Sequence, residues 1–326
     1  MSPQTGRIAI RADGGGQIGL GHVMRCLALA DALHAMGFGL DWLTTTPGVL
    51  PDAVGRIASI HDLSGSDDEC AAIAATLSKQ GCRLLVGDWK VTDAACVDAL
   101  RRAGWPVVLI GGWTGDAVGD LHVRQSFSQQ PPAGGRRELS GAQWLLLGAS
   151  YRNAPARETR STVQRILISL GGTATPVLDR VRTAIGESPD LAGLALEIRA
   201  PSGASQSGII RPLHDALAGA DLAILAGGTT LHEATALGLP ALCIPIAANQ
   251  YDRAGQFQSL GLGVTIDPAK PCFERRISET LASLAADPAR RARMARRGQS
   301  LVDGQGAIRL ARHLADSFLT AGAESQ

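Results

Sequence analysis

The sequence predicts an α/β protein made of two domains, each with a parallel β-sheet, that face each other across a cleft. Apolar strands alternate with helical patterns along the chain, as they do in doubly wound parallel sheets. Residues 165–173 repeat the arrangement of residues 7–21, in which an apolar strand ends in a glycine turn with a helix behind it. The chain has 326 residues, 45% of them hydrophobic, which is enough for two domains of about 150 residues each.

The first half is predicted to be a series of strands and helices. A strand at residues 7–13 leads into a glycine-rich turn and then a helix, with apolar residues at helical spacing from Val23 to Leu33. Gly37 and Gly39 end that helix. Further predictions are strands at residues 40–43, 83–86, 107–110 and 143–147, helices at 70–79 and 93–103, and a surface loop at 126–141.

A polar segment at residues 151–164 is predicted to link the two domains, which then span residues 1–155 and 156–326. The segment has few apolar residues and several charged ones, including Arg152 and Arg160. Domain boundaries commonly fall in polar stretches of this kind.

Two glycine turns mark the second half. The strand predicted at residues 165–170 ends in Gly171-Gly172-Thr173. A later strand at 222–225 ends in Ala226-Gly227-Gly228-Thr229-Thr230, before a helix predicted at 231–237. Because ligands of open α/β sheets bind beyond the carboxyl ends of the strands, we expect both turns to face the cleft and to hold a diphosphate.

The composition favours a small-molecule ligand. Lysines and arginines number 31 and aspartates and glutamates 30, which gives a net charge of +1. This balance provides no broad field for nucleic acid or an anionic membrane, so neither is expected as a partner. The basic run at residues 290–297 is accordingly predicted to be a solvated helix face. No feature of the sequence predicts an oligomeric state.

We expect a cytoplasmic protein without a membrane span, a metal or a cofactor. The first residues form a short polar leader before a strand, not a signal peptide. The longest uncharged run, residues 234–251, is interrupted by Gly238, Pro240 and Pro245. The six cysteines show neither a CxxC pair nor zinc-ligand spacing, and we predict that they are reduced core residues.

The turn at residues 14–21, with His22 behind it, is the main candidate for a functional site. Glycines let backbone N–H groups approach a ligand, and the positive end of the following helix favours an anion. Imidazole has an unperturbed pKa of about 6.5, which lets His22 accept a proton near neutral pH. The alternative is that His22 is only a polar residue that caps the helix.

Glu233 fits two roles. Thr230-Leu231-His232-Glu233 matches the T-x-x-E capping box, in which the carboxylate bonds to the backbone of the cap residue. A carboxylate at the start of a helix whose amides hold a phosphate is also well placed to accept hydrogen bonds from ribose hydroxyls. The spacing leaves both roles open.

Six motifs occur in a specific order along nearly the whole chain. They are Gly19-Leu20-Gly21-His22-Val23-Met24-Arg25, Gly171-Gly172-Thr173, Ala226-Gly227-Gly228-Thr229-Thr230-Leu231-His232-Glu233, Leu237-Gly238-Leu239-Pro240, Ala248-Asn249-Gln250 and Leu301-Val302-Asp303-Gly304-Gln305-Gly306-Ala307. Together they resemble the PseG family of nucleotide-sugar hydrolases and, more widely, GT-B glycosyltransferases of the MurG type. The resemblance implies a GT-B-like fold with two Rossmann-like domains, in which the second domain holds most of the nucleotide and the last helix packs back on the first domain.

The resemblance also implies an activity. The expected reaction is the hydrolysis of UDP-2,4-diacetamido-2,4,6-trideoxy-β-L-altropyranose, or a related UDP-sugar, to the free sugar and UDP, with inversion and without a metal, in pseudaminic acid biosynthesis. His22 matches the catalytic histidine and would activate water, and Glu233 matches a ribose-binding acid. The residues that match diphosphate-binding loops are Gly171, Gly172, Thr173, Gly228, Thr229 and Thr230. The candidates for substrate binding are Arg11, Asp13, Gly19, Gly21, Arg25, Tyr151, Asn249 and Gln250.

Some positions need more than one interpretation. We expect Asp13 or Arg11 to orient His22 or the sugar, although Asp13 is equally suited to a turn at the end of a strand. Two turns depart from the family pattern, because Asp88-Trp89-Lys90 stands where Asp-His-Tyr is expected and Gly111-Gly112-Trp113 stands where a pair of aspartates is expected. The identity of the sugar is therefore more open than that of the nucleotide.

Three alternative functions remain. A glycosyltransferase would use His22 to deprotonate an acceptor hydroxyl instead of water. A dehydrogenase would use Gly14-x-Gly16-x-x-Gly19 with Asp41, but the acid of that fingerprint belongs at the carboxyl end of the second strand, where this chain has Thr44-Thr45-Thr46. A non-catalytic sugar-nucleotide sensor would not need His22.

Overall fold

The computed structural model describes six stretches of the chain, residues 6–16, 18–111, 117–129, 136–171, 176–199 and 213–319. The chain divides into two compact units. Unit 1 comprises residues 1–149 and 305–326, and unit 2 comprises residues 150–304. Each unit is built around a parallel sheet, which confirms the predicted α/β class with two parallel-sheet domains.

Unit 1 contains a parallel sheet with β1 at its centre. The strands in its described residues are β1 (Arg7–Ala12), β2 (Gly39–Thr44), β3 (Ser59–Asp62), β4 (Cys82–Asp88), β5 (Val107–Ile110), β6 (Leu121–Val123) and β7 (Glu138–Leu139). They lie in the order β3-β2-β1-β4-β5-β6-β7. The helices are α1 (Gly21–Ala35), α2 (Asp52–Ile57), α3 (Glu69–Gln80) and α4 (Ala94–Arg102). Because β1 and β4 are neighbours, Ala12 at the end of β1 pairs with Asp88 at the end of β4.

The sheet of unit 1 is covered on both faces. Ile8, Ile10 and Ala12 of β1 pack with apolar residues of α1 in one core. Ala9 belongs to a second core, together with Leu85 of β4 and apolar residues of α3 and α4. A parallel strand buried on both faces is apolar almost throughout, which is why these strands are recognisable in the sequence.

Unit 2 repeats the architecture with fewer strands. Those described are β8 (Arg165–Ser169), β9 (Ala195–Arg199), β10 (Leu222–Ala226), β11 (Ala241–Ile244) and β12 (Gly263–Thr265). All neighbours are parallel, in the order β12-β11-β10-β8-β9. The helices are α5 (Pro176–Gly186), α6 (Leu213–Gly219), α7 (Thr229–Ala236), α8 (Tyr251–Ser259), α9 (Phe273–Ala286) and α10 (Pro288–Leu301).

Helix α11 (Gly306–Leu314) and the π-helical turn Ala315–Leu319 return to unit 1. Leu310 of α11 is fully buried in the core that contains α1. A Cβ on Gly306 would lie 2.2 Å from the carbonyl oxygen of Leu145, so only glycine allows α11 to start this close to the preceding chain.

The predicted strand at residues 143–147 is wrong. The chain forms a 3₁₀ turn at Ala142–Trp144 and then continues without joining the described sheet. Leu146 packs in the core shared with α1 and α11. This apolar run covers a helix, and its periodicity alone does not distinguish that role from a strand. The predicted loop at 126–141 contains β7, and its residues 130–135 lie outside the described residues.

Two predictions about surface and core need correction. Arg291, part of the predicted solvated face, is only 1% exposed. Cys272 is exposed and Cys70 is half-buried, whereas the other four cysteines are buried as expected. Within the described stretches, no helix combines the length and the apolar character needed to cross a bilayer.

Candidate functional site

His22 and Asp88 form a hydrogen-bonded pair in unit 1. His22 lies in the first turn of α1, and Asp88 is the last residue of β4. Nδ1 of His22 is 2.7 Å from Oδ1 of Asp88. The order of the strands thus brings together two residues that are 66 positions apart in the sequence.

Arg25 holds the carboxylate of Asp88 with two further hydrogen bonds. Its Nε donates to Oδ2 at 2.5 Å and its Nη2 donates to Oδ1 at 2.6 Å. Burial by itself would raise the pKa of Asp88, but the charge of Arg25 and the hydrogen bond from His22 hold that pKa below its ordinary value. Asp88 is therefore ionised at neutral pH although it is buried. In the structure Arg25 thus binds this carboxylate, and its predicted contact with the substrate stays a prediction.

An ionised Asp88 determines which nitrogen of His22 carries the proton. The carboxylate can only accept, so Nδ1 must donate its hydrogen to Oδ1. Nη2 of Arg25 also lies 3.1 Å from Nδ1, but a protonated Nδ1 has no lone pair with which to accept a hydrogen bond from it. Nε2 then carries the lone pair, and it has no hydrogen-bond partner in the described part of the chain. The His22 side chain is 20% exposed, and an imidazole with its lone pair on Nε2 is able to act as a base.

Gly111 provides the space that Arg25 occupies. Its φ is +86°, and a Cβ at this position would lie 2.5 Å from Nη2 of Arg25. Both observations require glycine. Gly111 stands where the family pattern has an aspartate. This departure leaves room for the pair formed by Arg25 and Asp88. Gly112 and Trp113 lie outside the described residues.

Trp89 stands where the family pattern has a histidine, and its ring packs against β4. A Cβ on Gly87 would lie 1.7 Å from the Trp89 ring, so glycine is needed for the indole to lie there. The indole Nε1 donates to Oε1 of Glu69 at 3.1 Å. Trp89 is thereby attached to the start of α3.

Arg11 and Asp13 belong to a separate network. Arg11 donates from Nη2 to Asp13 and from Nε to Glu69, both at 2.7 Å. The hydroxyl of Thr44 donates to Asp13 at 2.8 Å, which joins the ends of β1 and β2. Neither residue orients His22, because the carboxylate at the end of β4 has that place. The other half of the prediction, that Arg11 or Asp13 orients the sugar, stays a prediction.

Asp41, the acid that a dehydrogenase would need to bind a ribose, is bonded inside the protein. Asp41 is fully buried and accepts two hydrogen bonds from Arg7, both at 2.8 Å. Nε2 of His61 lies 2.8 Å from the same carboxylate. A carboxylate enclosed in this way is not presented to a ribose.

Several N–H groups in the described part of the first glycine turn donate to acceptors inside unit 1. Gly15 and Gly19 donate to each other's carbonyl oxygens at 3.0 and 3.1 Å. The Gly14 N–H donates to the Thr46 hydroxyl at 3.1 Å. The amides that a helix leaves without an internal acceptor are those of its first turn, which begins at Gly21. The N–H groups at the start of α1 are therefore available to an anion, whereas those of Gly14, Gly15 and Gly19 already have acceptors.

Helix α7 starts two residues earlier than predicted. Its N-cap is Gly228, which provides no side-chain cap, and Thr229 is the first helical residue. The capping-box role of Glu233 is therefore wrong, because Thr230 lies inside the helix and not at its cap. The Leu231 N–H donates to the carbonyl oxygen of Gly228 at 3.2 Å. In the described part of the chain the N–H groups of Thr229 and Thr230 have no such acceptor, so these two are available to an anion. In the other predicted diphosphate turn, Gly171 has a φ of +93°, and Gly172 and Thr173 lie outside the described residues.

Glu233 is a buried acid with two hydroxyl donors. The hydroxyls of Tyr151 and Thr230 both hydrogen-bond to its carboxyl group. Burial raises the pKa of Glu233 to about 7, although both hydrogen bonds act to lower it. Tyr151, a predicted substrate contact, thus directs its hydroxyl to a protein carboxylate.

Asn249 and Gln250 form part of a 3₁₀ turn after β11. Oε1 of Gln250 accepts from the N–H groups of Gly227 and Ile246 at 3.1 and 3.0 Å, so this oxygen supports the turn before α7. Asn249 is exposed. The contacts of both residues with substrate remain predictions.

Chemically, the described residues offer a base in unit 1 and a buried acid beside a helix N-terminus in unit 2. Nowhere in these residues do three or more histidine, cysteine, aspartate or glutamate side chains form a group suited to a metal ion.

No protein-family model matches the chain. One similar sequence is the UDP-N-acetylglucosamine–N-acetylmuramyl-(pentapeptide) pyrophosphoryl-undecaprenol N-acetylglucosamine transferase of Alkalilimnicola ehrlichii, which is 30% identical over 64% of this chain and 58% of that protein. The chain spans 47% of the Xanthomonas campestris transferase of the same name, at 29% identity. The spore coat polysaccharide biosynthesis protein SpsG of Bacillus subtilis is 22% identical over 95% of this chain and 98% of that protein.

Solved structures show the same fold. MurG of Acinetobacter baumannii superposes with a TM-score of 0.69 at 16% identity, over 95% of this chain and 99% of that chain. The calicheamicin glycosyltransferase CalG4 superposes with a TM-score of 0.64 at 20% identity, over 98% of this chain and all of that chain. The chain therefore has the GT-B fold, and in sequence and fold it is similar to the MurG-like glycosyltransferases.

Proposed function

We propose that this chain, which has the GT-B fold of the MurG-like glycosyltransferases, is an inverting glycosyltransferase with a UDP-sugar donor. The observation that carries the proposal is the bond between His22 and the ionised, buried Asp88, which leaves Nε2 of the imidazole open as a base. Hydrolysis was the first expectation from the sequence. The similar sequences named as N-acetylglucosamine transferases put transfer ahead of it.

In the proposed reaction His22 removes the proton of an acceptor hydroxyl. The hydroxyl oxygen forms a bond to the anomeric carbon from the face opposite UDP, and the bond from that carbon to the phosphate oxygen breaks. UDP leaves with the bonding electrons, and the proton stays on Nε2. Asp88 stabilises the resulting imidazolium through Nδ1, as the acid does in a Ser-His-Asp triad. Attack from the opposite face inverts the anomeric centre.

Unit 2 would hold the leaving nucleotide. The N–H groups of Thr229 and Thr230 at the start of α7 would bind phosphate oxygens. Gly171, Gly172 and Thr173 are the other residues predicted to bind the diphosphate. The partial positive charge of these N–H groups stabilises the negative charge that develops on UDP. Glu233 would accept hydrogen bonds from the ribose hydroxyls.

Hydrolysis of a UDP-sugar is the second candidate, and the order of the PseG-like motifs favours it. The same base would then activate water, and the products would be UDP and a free sugar with inverted configuration. The expected substrate in that case is UDP-2,4-diacetamido-2,4,6-trideoxy-β-L-altropyranose or a relative of it.

Product analysis separates the two reactions. UDP release from UDP-N-acetylglucosamine and from the diacetamido sugar nucleotide is measured with and without a panel of sugar and lipid-linked sugar acceptors. Release that requires an acceptor, with the sugar recovered on that acceptor, supports transfer. Release at full rate in buffer alone, with the free sugar as product, contradicts transfer and supports hydrolysis.

Asp88→Asn tests the base in either reaction. The amide would favour the wrong tautomer of His22, so we expect kcat to fall by about 10²- to 10⁴-fold while UDP affinity stays the same. His34→Gln is the matched control, since His34 is exposed near the other end of α1. An Asp88→Asn enzyme with normal kcat would remove this pair from the mechanism.

A further inference from the structure

Tyr151 and Glu233 form an enclosed pair within unit 2. Tyr151 ends the 3₁₀ turn Ala149–Tyr151, and Glu233 lies on α7. Only 6% of Tyr151 and 7% of Glu233 are exposed. The phenol hydroxyl donates to the carboxylate, and the hydroxyl of Thr230 donates to it as well.

The surroundings of Tyr151 fix its position. A Cβ on Gly304, whose φ is +72°, would lie 2.2 Å from the carbonyl oxygen of Tyr151. Asn153, two residues further on, donates its N–H to the carbonyl oxygen of Asp303 at 3.2 Å. The ring of His214 meets the phenol ring edge-on, with 5.3 Å between the centroids. These contacts hold the phenol ring in place, with its hydroxyl at the carboxylate of Glu233.

The carboxylate of Glu233 has acceptor capacity left over. An ionised carboxylate offers about four lone-pair positions. Tyr151 and Thr230 use two of them. The remaining capacity matches the two adjacent hydroxyls of a ribose, both of which are donors.

We propose that Tyr151 is a positioning residue that holds Glu233 as an ionised acceptor for the ribose hydroxyls of a nucleoside diphosphate. This inference rests on the proposed function, in which Glu233 binds the ribose of UDP. Tyr151 itself acts through the carboxylate and does not contact the sugar.

The charge state of Glu233 makes the role of Tyr151 measurable. Burial raises the pKa of Glu233 to about 7, and the two hydroxyl donors lower it. Loss of the Tyr151 hydroxyl therefore raises this pKa further, so that the carboxyl is mostly protonated near neutral pH and accepts fewer hydrogen bonds. Among the described residues, Asp215 on α6 acts on Tyr151 through its charge and hydrogen-bonds to His214. His232 precedes Glu233 on α7. Every variant below retains these three groups.

The test compares UDP with 2′,3′-dideoxyuridine 5′-diphosphate, which lacks both ribose hydroxyls, by titration calorimetry from about pH 6 to about pH 8.5. For Tyr151→Phe we expect UDP to bind about tenfold more weakly near neutral pH, because the protonated carboxyl of Glu233 loses about one hydrogen bond from the ribose hydroxyls. Binding of the dideoxy compound should not change. UDP affinity should recover at the alkaline end, where Glu233 ionises again.

The controls use the chain's other hydroxyls. Tyr251→Phe removes the only other tyrosine, whose hydroxyl donates to Asp267 at 3.0 Å, and it should leave both ligands unaffected. Thr230→Val removes the second donor to Glu233 and should shift the pH profile in the same direction as Tyr151→Phe, which provides an independent measurement if the latter folds poorly.

Three results for Tyr151→Phe would overturn the inference. Unchanged UDP binding at every pH would show that the hydroxyl has no role, and equal weakening of both ligands would show a purely structural role. Tighter UDP binding would show that Tyr151 occupies the ribose position. Glu233→Ala separates this inference from the proposed function, because unchanged UDP affinity in that variant would remove Glu233 from the nucleotide site altogether.

Discussion

At the scale of single residues, the partner of His22 determines its chemistry. A histidine at the start of a helix is as suited to capping as to catalysis. The buried carboxylate of Asp88 fixes the proton on Nδ1, and Arg25 keeps that carboxylate charged. Because both supporting residues are buried, small changes behind them should alter the base without touching the substrate.

Gly111→Ala is the residue-scale prediction that follows. The new methyl group would lie 2.5 Å from Nη2 of Arg25 and would displace the guanidinium from Asp88. We expect kcat to fall about tenfold, as when a general base is misplaced, while UDP affinity in calorimetry stays unchanged.

Gly104→Ala is the control for this substitution. Gly104 has a similar positive φ of +96°, but a Cβ there meets no atom within 4 Å. Both variants carry the backbone cost of about 1–2 kcal/mol for a side chain at positive φ, so only the contact with Arg25 differs. Equal kcat values in the two variants would contradict the role given to Gly111.

The sequence was sufficient to single out His22 and Glu233, because each lies beside a glycine turn at the end of an apolar strand. It did not indicate their partners. In the sequence, Asp88 is recognisable only as the first residue of a turn that departs from the family pattern. Its pairing with His22 arises because β4 lies next to β1. Strand order is a long-range property that local periodicity does not encode.

At the scale of elements, the basic run of α10 shows how a local pattern can be misread. Arg291 is almost fully buried, and its guanidinium donates to the carbonyl oxygens of Leu284 and Ala285 at the end of α9. It also donates to the carbonyls of Arg160 and Ser161 in the segment before β8. A charge run predicts a solvated face only when no unsatisfied helix end lies within reach of it.

Arg291→Met should therefore destabilise unit 2. The methionine fills similar space but removes the hydrogen bonds that the guanidinium donates to Leu284, Ala285, Arg160 and Ser161, so we expect the free energy of unfolding to fall by about 3 kcal/mol. Urea denaturation followed by far-ultraviolet circular dichroism measures it. Arg293→Met, on the exposed face of α10, should change stability by less than about 0.5 kcal/mol. Equal destabilisation by both substitutions would contradict a stabilising role for the hydrogen bonds of Arg291.

At the scale of the whole molecule, unit 1 is discontinuous in the sequence and unit 2 is continuous. Unit 2 is formed by one continuous segment, residues 150–304, whereas unit 1 needs residues from both sides of it. Leu310 and Leu314 of α11 are fully buried in the core of unit 1. Each buried leucine contributes about 1.5–3 kcal/mol, so the helix contributes an amount comparable to the 5–15 kcal/mol of net stability of a typical domain.

Removal of residues 305–326 should consequently unfold unit 1 and spare unit 2. All five tryptophans precede residue 150 and both tyrosines follow it, so tryptophan emission reports on unit 1 alone. We expect a red-shifted emission and loss of turnover, with UDP still bound in calorimetry because the groups proposed to hold the nucleotide lie in unit 2.

A chain that lacks only residues 320–326 keeps α11 and should behave as the full chain does. Native emission in the chain cut after Gly304 would show that unit 1 is stable without α11, and loss of UDP binding would show that the nucleotide needs more than unit 2.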